Sequence, residues 1–254
     1  MKNLKLFLGI AAMAAALTIS CGPPPDIEVS GITLDKTTLD LIVTRTYTLV
    51  PTVSPDNATD KKVTWTSDNE NVATVANGVV TAKSKGTAII TATAGNKTIT
   101  CNVTVDGVLI NDVVWATCNV KEAGKFVDNP EDYGNYFTFD DAKNACPAGW
   151  CLPTVKEIRT LFDDTKVSTE WVIGDKKGRR FTDIATGKSV FFPAAGYRSS
   201  GGQVFHTDVR GYYWSNDEYS AIIPYNLFFD KDKSDIDNEY IKTDGLSVRP
   251  VLKK

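Results

Sequence analysis

Few side chains in this sequence are suited to covalent or metal chemistry, and they are widely spaced. Among 254 residues there are five cysteines and a single histidine. A Ser-His-Asp or Cys-His nucleophile needs an imidazole as its base, so any such arrangement would have to rest on His206. No nucleophile-elbow motif accompanies it, and His206 reads as an ordinary loop histidine. Cys146 and Cys151 cannot supply a four-ligand zinc site unaided. Pro147 and Gly149 between them can turn the chain tightly enough to bring the two Cα atoms within about 7 Å. A Cys146–Cys151 disulfide is therefore expected, with Cys101 and Cys118 as buried thiols. Residues 230–239 begin like a calcium-binding EF-hand loop. Asp235 then stands where the glycine belongs and Ile241 where the closing glutamate belongs, so the run reads as a solvated hairpin loop. Neighbouring acids such as Asp140-Asp141 and Asp163-Asp164 fall at helix ends, facing water. No metal or cofactor is expected. Binding chemistry is better represented. In residues 198–213 a flexible Ser199-Ser200-Gly201-Gly202 stretch precedes His206, Asp208 and Arg210, which lie between Phe205 and Tyr212. Arginine and aromatic side chains are over-represented among residues that dominate binding. Arg210 and Tyr212 are accordingly the expected ligand contacts, with the 230–239 loop next in line.

The remaining cysteine, Cys21, has a different setting. Lys2 and Lys5 precede an almost wholly apolar run at 6–17, followed by Thr18, Ser20 and Cys21. A positive start, a short apolar middle and a small-residue exit are the layout of a secretory signal peptide. Leu17-Thr18-Ile19-Ser20-Cys21 resembles the lipobox of bacterial lipoproteins. The resemblance implies that the Cys21 thiol is acylated and that residues 1–21 are the signal peptide and lipobox. Residues 22–28, opening Gly22-Pro23-Pro24-Pro25, would form a stiff tether. The chain would then be lipid-anchored to the outer membrane, on its surface or periplasmic face. That compartment permits disulfides without demanding them. A net charge of −3 and the lack of a basic run argue against nucleic acid as a partner.

The elements that would carry these groups fall into two compositional regions. Residues 29–106 are rich in Thr, Val, Ala and Asn. Along 98–105 the odd positions are apolar and the even ones polar, and Ala88, Ile90, Ala92 and Ala94 repeat the alternation of a half-buried strand. Asn77-Gly78 separates two such runs, a hairpin signal because both residues tolerate positive φ. The pattern predicts an all-β sandwich. The phrases around Gly31-Ile32-Thr33-Leu34, Val63-Thr64-Trp65-Thr66 and Gly86-Thr87-Ala88-Ile89-Ile90 resemble the group 2 bacterial immunoglobulin-like domain. That resemblance implies a Greek-key sandwich with Trp65 in its core, used as a spacer or docking module, and Cys101 reads as a small buried hydrophobe.

Residues 107–254 are crowded with Tyr, Phe and Trp, which sets the boundary near Asp106-Gly107. Helices are predicted at 138–145 and 153–162. The second has a capping box, Thr154 with Glu157, and a stripe of Val155, Ile158, Leu161 and Phe162. Short strands and aromatic loops follow, predicting an α+β region. Here Trp214 and Phe228 read as core. Trp115-Ala116-Thr117-Cys118, Ala145-Cys146-Pro147-Ala148-Gly149-Trp150 and Ser247-Val248-Arg249-Pro250-Val251 resemble the Fibrobacter succinogenes major paralogous domain, related in fold to C-type lectin-like modules. The resemblance implies a lectin-like head on an immunoglobulin-like stalk, a fold and a setting more than an activity. With no catalytic arrangement in the sequence, the expected function is noncatalytic binding of a glycan or a surface protein. A carbohydrate-active enzyme and a structural subunit of a surface assembly are the alternatives.

Overall fold

A computed structural model describes residues 25–253. The signal peptide, Cys21 and the first tether residues expected from the sequence lie outside the described residues. Among those described, no helix is long and apolar enough to cross a membrane.

The first region is built from β1 (Gly31–Leu34), β2 (Thr38–Ile42), β3 (Thr46–Thr48), β4 (Pro51–Ser54), β5 (Val63–Ser67), β6 (Ala73–Ala76), β7 (Val79–Ala82), β8 (Gly86–Ala94) and β9 (Lys97–Asp106). Strands β2, β9, β8 and β5 form one sheet in that order, and β3, β7 and β6 form another; β1 pairs with β4. Strand β2 runs parallel to β9, whereas β8 is antiparallel to both β9 and β5. The alternation read from the sequence is the burial observed. Cys101, Val103 and Val105 are buried with the intervening residues exposed; Ala88 and Ile90 share their cluster, and Ala92 and Ala94 line a second one with Val29, Ile32 and Val53. Asn77 and Gly78 both take positive φ, 51° and 82°, and join β6 to β7 with Ala76 opposite Val79. Trp65 is half-buried and packs against both apolar clusters of the sandwich.

The second region contains β10 (Val108–Ile110), β11 (Val113–Trp115), β12 (Val120–Glu122), β13 (Lys125–Phe126), α1 (Phe139–Ala145), β14 (Trp150–Cys151) and α2 (Val155–Arg159). These are followed by β15 (Val167–Ile173), β16 (Lys177–Asp183), β17 (Ser189–Pro193), β18 (Tyr197–Arg198) and β19 (Val204–Phe205). Last come β20 (Gly211–Glu218), β21 (Pro224–Phe229), β22 (Ser234–Asp237) and β23 (Val251–Leu252). The strands group as β10-β11-β23-β14, β15-β16-β17 and β20-β21-β22, with two small hairpins. Both predicted helices form, each capped by a threonine, and the Thr154–Glu157 box closes in both directions. They are short, 7 and 5 residues, and the second runs on only as a 3-10 turn, Thr160–Phe162. The region is thus β-rich with little helix, a coarser result than the α+β lectin-like fold expected.

Strand β20 organises this region. Tyr213 faces a cluster with Trp115, Phe181, Phe192 and Phe229, while Tyr212 and Trp214 face a second with Phe139, Leu246 and Val248. Trp214 and Phe228 are buried, as their sequence setting predicts.

The two regions share apolar packing. Val114, Ala116 and Trp150 belong to the same buried cluster as Leu39, Val80 and Val103 of the sandwich. Gly107 at the join has φ +91°, and a methyl group there would lie 3.1 Å from Trp150 and 3.4 Å from Ile42. Polar contacts flank this packing: Arg45 donates to the Lys253 carbonyl at 2.9 Å, and Thr117 donates to Asp106 at 2.7 Å.

Candidate functional site

The segment expected to bind a ligand and the acidic loop ranked behind it converge on one cleft of about 350 Å³. Trp171 of β15 and Lys177 at the start of β16 form one wall. Asp208, Val209 and Arg210 lead into β20, and Asp230, Lys231 and Asp232 make the turn between β21 and β22. The cleft is positioned from beneath by Arg179. Its guanidinium is buried, donating to the Thr169 hydroxyl at 3.1 Å and to the Asp230 carbonyl at 2.6 Å, so it staples the β21–β22 turn to β15. Burial pushes its pKa down, against the attraction of Asp230 and Asp232.

The carboxylates of this cleft are held by local donors. Asp208 accepts from the Tyr133 hydroxyl at 2.6 Å and from the Lys177 amide at 2.9 Å. Burial raises the Asp208 pKa, but these donors with the Lys176 and Lys177 charges outweigh it and hold the carboxyl below its usual value. Burial and this contact together raise the Tyr133 phenol. Asp230 accepts from the Asp232 and Lys233 amides at 2.8 and 2.9 Å. Burial raises its pKa too, and those amides with Arg210 and Arg179 reverse the sign. A carboxyl held this way stays ionised, as an acceptor for hydroxyl or amide donors, and is ill suited to act as a general acid near neutral pH.

Of the two expected contact residues, the structure puts one in the cleft. Arg210 lines it, half-buried, with its guanidinium carbon 5.9 Å from the Phe228 ring centre. Tyr212 does not line it. It is 2% exposed, and its ring packs among Tyr197, Phe228 and Tyr240. Its hydroxyl is 3.4 Å from both the Arg210 guanidinium and His206 Nδ1, so it supports Arg210 from behind. That contact is the main reason the Arg210 pKa is raised. His206 lies at the rim of this aromatic group with φ +61°, and partial burial, with Arg210 nearby, pushes its pKa down. Trp171, Lys177 and Arg179 escaped the sequence reading. The tryptophan that follows Ser168-Thr169-Glu170 was the signal available for the first of them.

The expected Cys146–Cys151 disulfide is not formed. Cys146 is a thiol, its pKa pushed up to about 12 by burial, with the nearby Cys151 thiol adding to the rise. Cys146 is the C-cap of α1 and Cys151 lies in β14, hydrogen-bonded to the Val251 carbonyl at 3.8 Å. Each sulfur is thus held by a different element. Cys101 and Cys118 are buried thiols, as expected.

Residues 28–105 match the bacterial Ig-like domain (group 2) family. The chain is 44% identical over 95 residues to an Ig-like virion protein of Serratia phage KSP90, a match covering 36% of each protein. It is 46% identical over 79 residues to a kappa-carrageenase of Pseudoalteromonas carrageenovora, covering 31% of this chain and 20% of the enzyme. An alpha-L-arabinofuranosidase of Bifidobacterium longum subsp. longum is 45% identical over 71 residues, covering 28% of this chain and 7% of the enzyme. The chain thus spans about a third of the length of these relatives at most. Domains 5-6 of the S-layer protein SbsC align over 87% of this chain and 97% of theirs, but at 14% identity and a TM-score of 0.28, too slight a likeness to bear on fold. Sequence alternation, strand pairing and family match agree: residues 28–105 of this chain are a group 2 bacterial immunoglobulin-like domain.

Proposed function

We propose that this chain is a noncatalytic binding protein of the bacterial cell envelope, tethered through lipid on Cys21. Its immunoglobulin-like domain presents a lectin-like C-terminal region whose ligand is a glycan. The cleft around Trp171 and Arg210 carries this reading. It sets an indole and the exposed Val209 beside Lys177, Arg210 and Lys231 on one hand and Asp208, Asp230 and Asp232 on the other. A sugar offers an apolar ring face and a ring of hydroxyls that both donate and accept, and this lining matches both. Carboxylates held ionised favour acceptance of hydroxyls over proton donation to a leaving group. Relatives that the chain matches over part of its length are named as an Ig-like virion protein, a kappa-carrageenase and an alpha-L-arabinofuranosidase, names that include two carbohydrate-active enzymes.

A glycan array with the full chain tests the proposal. Binding to a defined set of saccharides is expected, and Trp171→Ala and Arg210→Ala should each weaken it by more than about 1 kcal/mol. Tyr212→Phe should weaken it less, since only its hydroxyl reaches Arg210. Release of reducing ends from any bound polysaccharide would replace the noncatalytic reading with an enzymatic one. Absence of saccharide binding, together with a stoichiometric protein partner in cross-linked cells, would replace it with a structural one.

A further inference from the structure

A second cleft, of about 310 Å³, opens where the immunoglobulin-like domain meets the C-terminal region, and both regions contribute to it. Lys85 comes from the turn between β7 and β8 of the sandwich. Thr117 and Glu131 come from the loops after β11 and β13, Lys176 and Arg180 from the β15–β16 hairpin, and Phe191 from β17. Three cations thus face one carboxylate. Lys188, next in sequence to Ser189 of the lining, donates to the Lys83 carbonyl at 3.2 Å and so also bridges the two regions.

The cations are held in place without being fully neutralised. Lys85 donates to the neutral Thr117 hydroxyl at 3.0 Å, and that hydroxyl in turn donates to Asp106. Lys176 lies 4.3 Å from the centre of the Tyr133 ring. Arg180 pairs with Glu170 through one terminal nitrogen, which leaves other donors of its fork available. Cations already ordered by such contacts lose less side-chain freedom on binding. Phe191 supplies the apolar surface, and its ring is fixed over Gly178. A methyl group on Gly178 would come within 2.6 Å of Phe191 Cζ, so only glycine lets the ring lie there.

We infer that this junction cleft is a binding site for an anionic saccharide, one bearing a carboxylate or a sulfate ester. Lys85, Lys176 and Arg180 receive the anion and Phe191 lies against the sugar ring. The site is separate from the cleft around Trp171 and Arg210, and its charge balance selects a different ligand. A bound saccharide contacts both regions, so it also ties the immunoglobulin-like domain to its neighbour.

Isothermal titration of the full chain at low ionic strength, with four probes, tests the inference. These are tetragalacturonate, galactose 4-sulfate, galactose and inorganic sulfate. At least one charged saccharide should bind more tightly than galactose and than inorganic sulfate. The double variant Lys85→Gln/Lys176→Gln should lower that affinity about tenfold or more, the range of two lost charge-assisted hydrogen bonds. Lys121→Gln, an exposed lysine outside the cleft, should leave it unchanged. The arm that binds distinguishes a uronate from a sulfate ester. The inference is overturned if no charged saccharide outbinds galactose, if inorganic sulfate binds as tightly as the better-bound charged saccharide, or if the double variant binds as the parent does. Failure of neutral glycans to bind the other cleft would leave this result untouched.

Discussion

Arg249 shows how far a residue's role can depart from its type. It is an arginine with 0% exposure, and its guanidinium lies 5.0 Å from the centre of the Phe192 ring. It donates to Asn119 Oδ1 at 2.8 Å and to the Ala116 carbonyl at 3.2 Å, with Pro130 more distant at 3.5 Å. Asn119 in turn donates to the Tyr133 carbonyl and the Tyr213 hydroxyl. The cation therefore organises the loops at 116–135, at the expense of the desolvation that pushes its pKa down. Arg249→Lys should destabilise the chain by about 2–3 kcal/mol in urea unfolding, because an ammonium cannot match the planar fork and leaves buried acceptors unpaired. A change below about 0.5 kcal/mol would show that the loops are held by other means. The sequence marked Arg249 only as part of a phrase. Tyr212 shows the opposite error: its type suggested a ligand contact, but β20 is covered on both faces, so alternation gave no clue that it was core.

At the level of elements, the legible parts were those whose signal is local. The Asn77-Gly78 turn, the Thr154–Glu157 box and the alternation of β8 and β9 each depend on residues within one short stretch, and each formed as read. Gly78 is the sharpest case. A side chain there would meet the Leu49 carbonyl at 2.9 Å and the Trp65 ring at 3.2 Å, in a backbone conformation that already disfavours it. Gly78→Ala should lower stability by about 1–3 kcal/mol, whereas Asn77→Gly should be close to neutral. Thermal unfolding of both variants checks this, and equal losses would mean that φ at Gly78 is not what the turn requires. The β15–β16 hairpin was less legible. Val167 and Phe181 reach the core, but Glu170, Lys176, Lys177, Arg179 and Arg180 dominate the stretch and hide the alternation, because its outer residues line clefts.

At the scale of the whole molecule, composition suggested a boundary at Asp106-Gly107 but could not show that packing crosses it. Trp150, 7% exposed, lies edge-on to Phe126 at 5.8 Å and shares its cluster with the sandwich core. Trp150 stands between 45 and 111 positions from the sandwich residues of that cluster, Val105 to Leu39, and no local pattern encodes such contacts. The chain should therefore unfold in one transition, with fluorescence and circular dichroism midpoints coinciding. Trp150→Ala should lower the midpoint, with a loss of about 3–5 kcal/mol, and should separate the two probes. Two transitions in the parent chain would show that the shared cluster does not couple the regions.

The parallel pairing of β2 with β9 has a mechanical consequence. Thr38 lies opposite Asn102 and Ile42 opposite Asp106, so the chain enters β2 at one end of the pair and leaves β9 at the other. Tension drawn along the chain, once β1 has been stripped away, pulls the two strands lengthwise in opposite directions. Their hydrogen bonds are then sheared together, where an antiparallel hairpin pulled at its open end would unzip bond by bond. The exit of β9 leads straight into Gly107 and the packing around Trp150, which spreads the load into the second region. A domain strung this way resists stretching along the chain better than one whose terminal strands pair as an antiparallel hairpin, a property that would suit the tethered role proposed above.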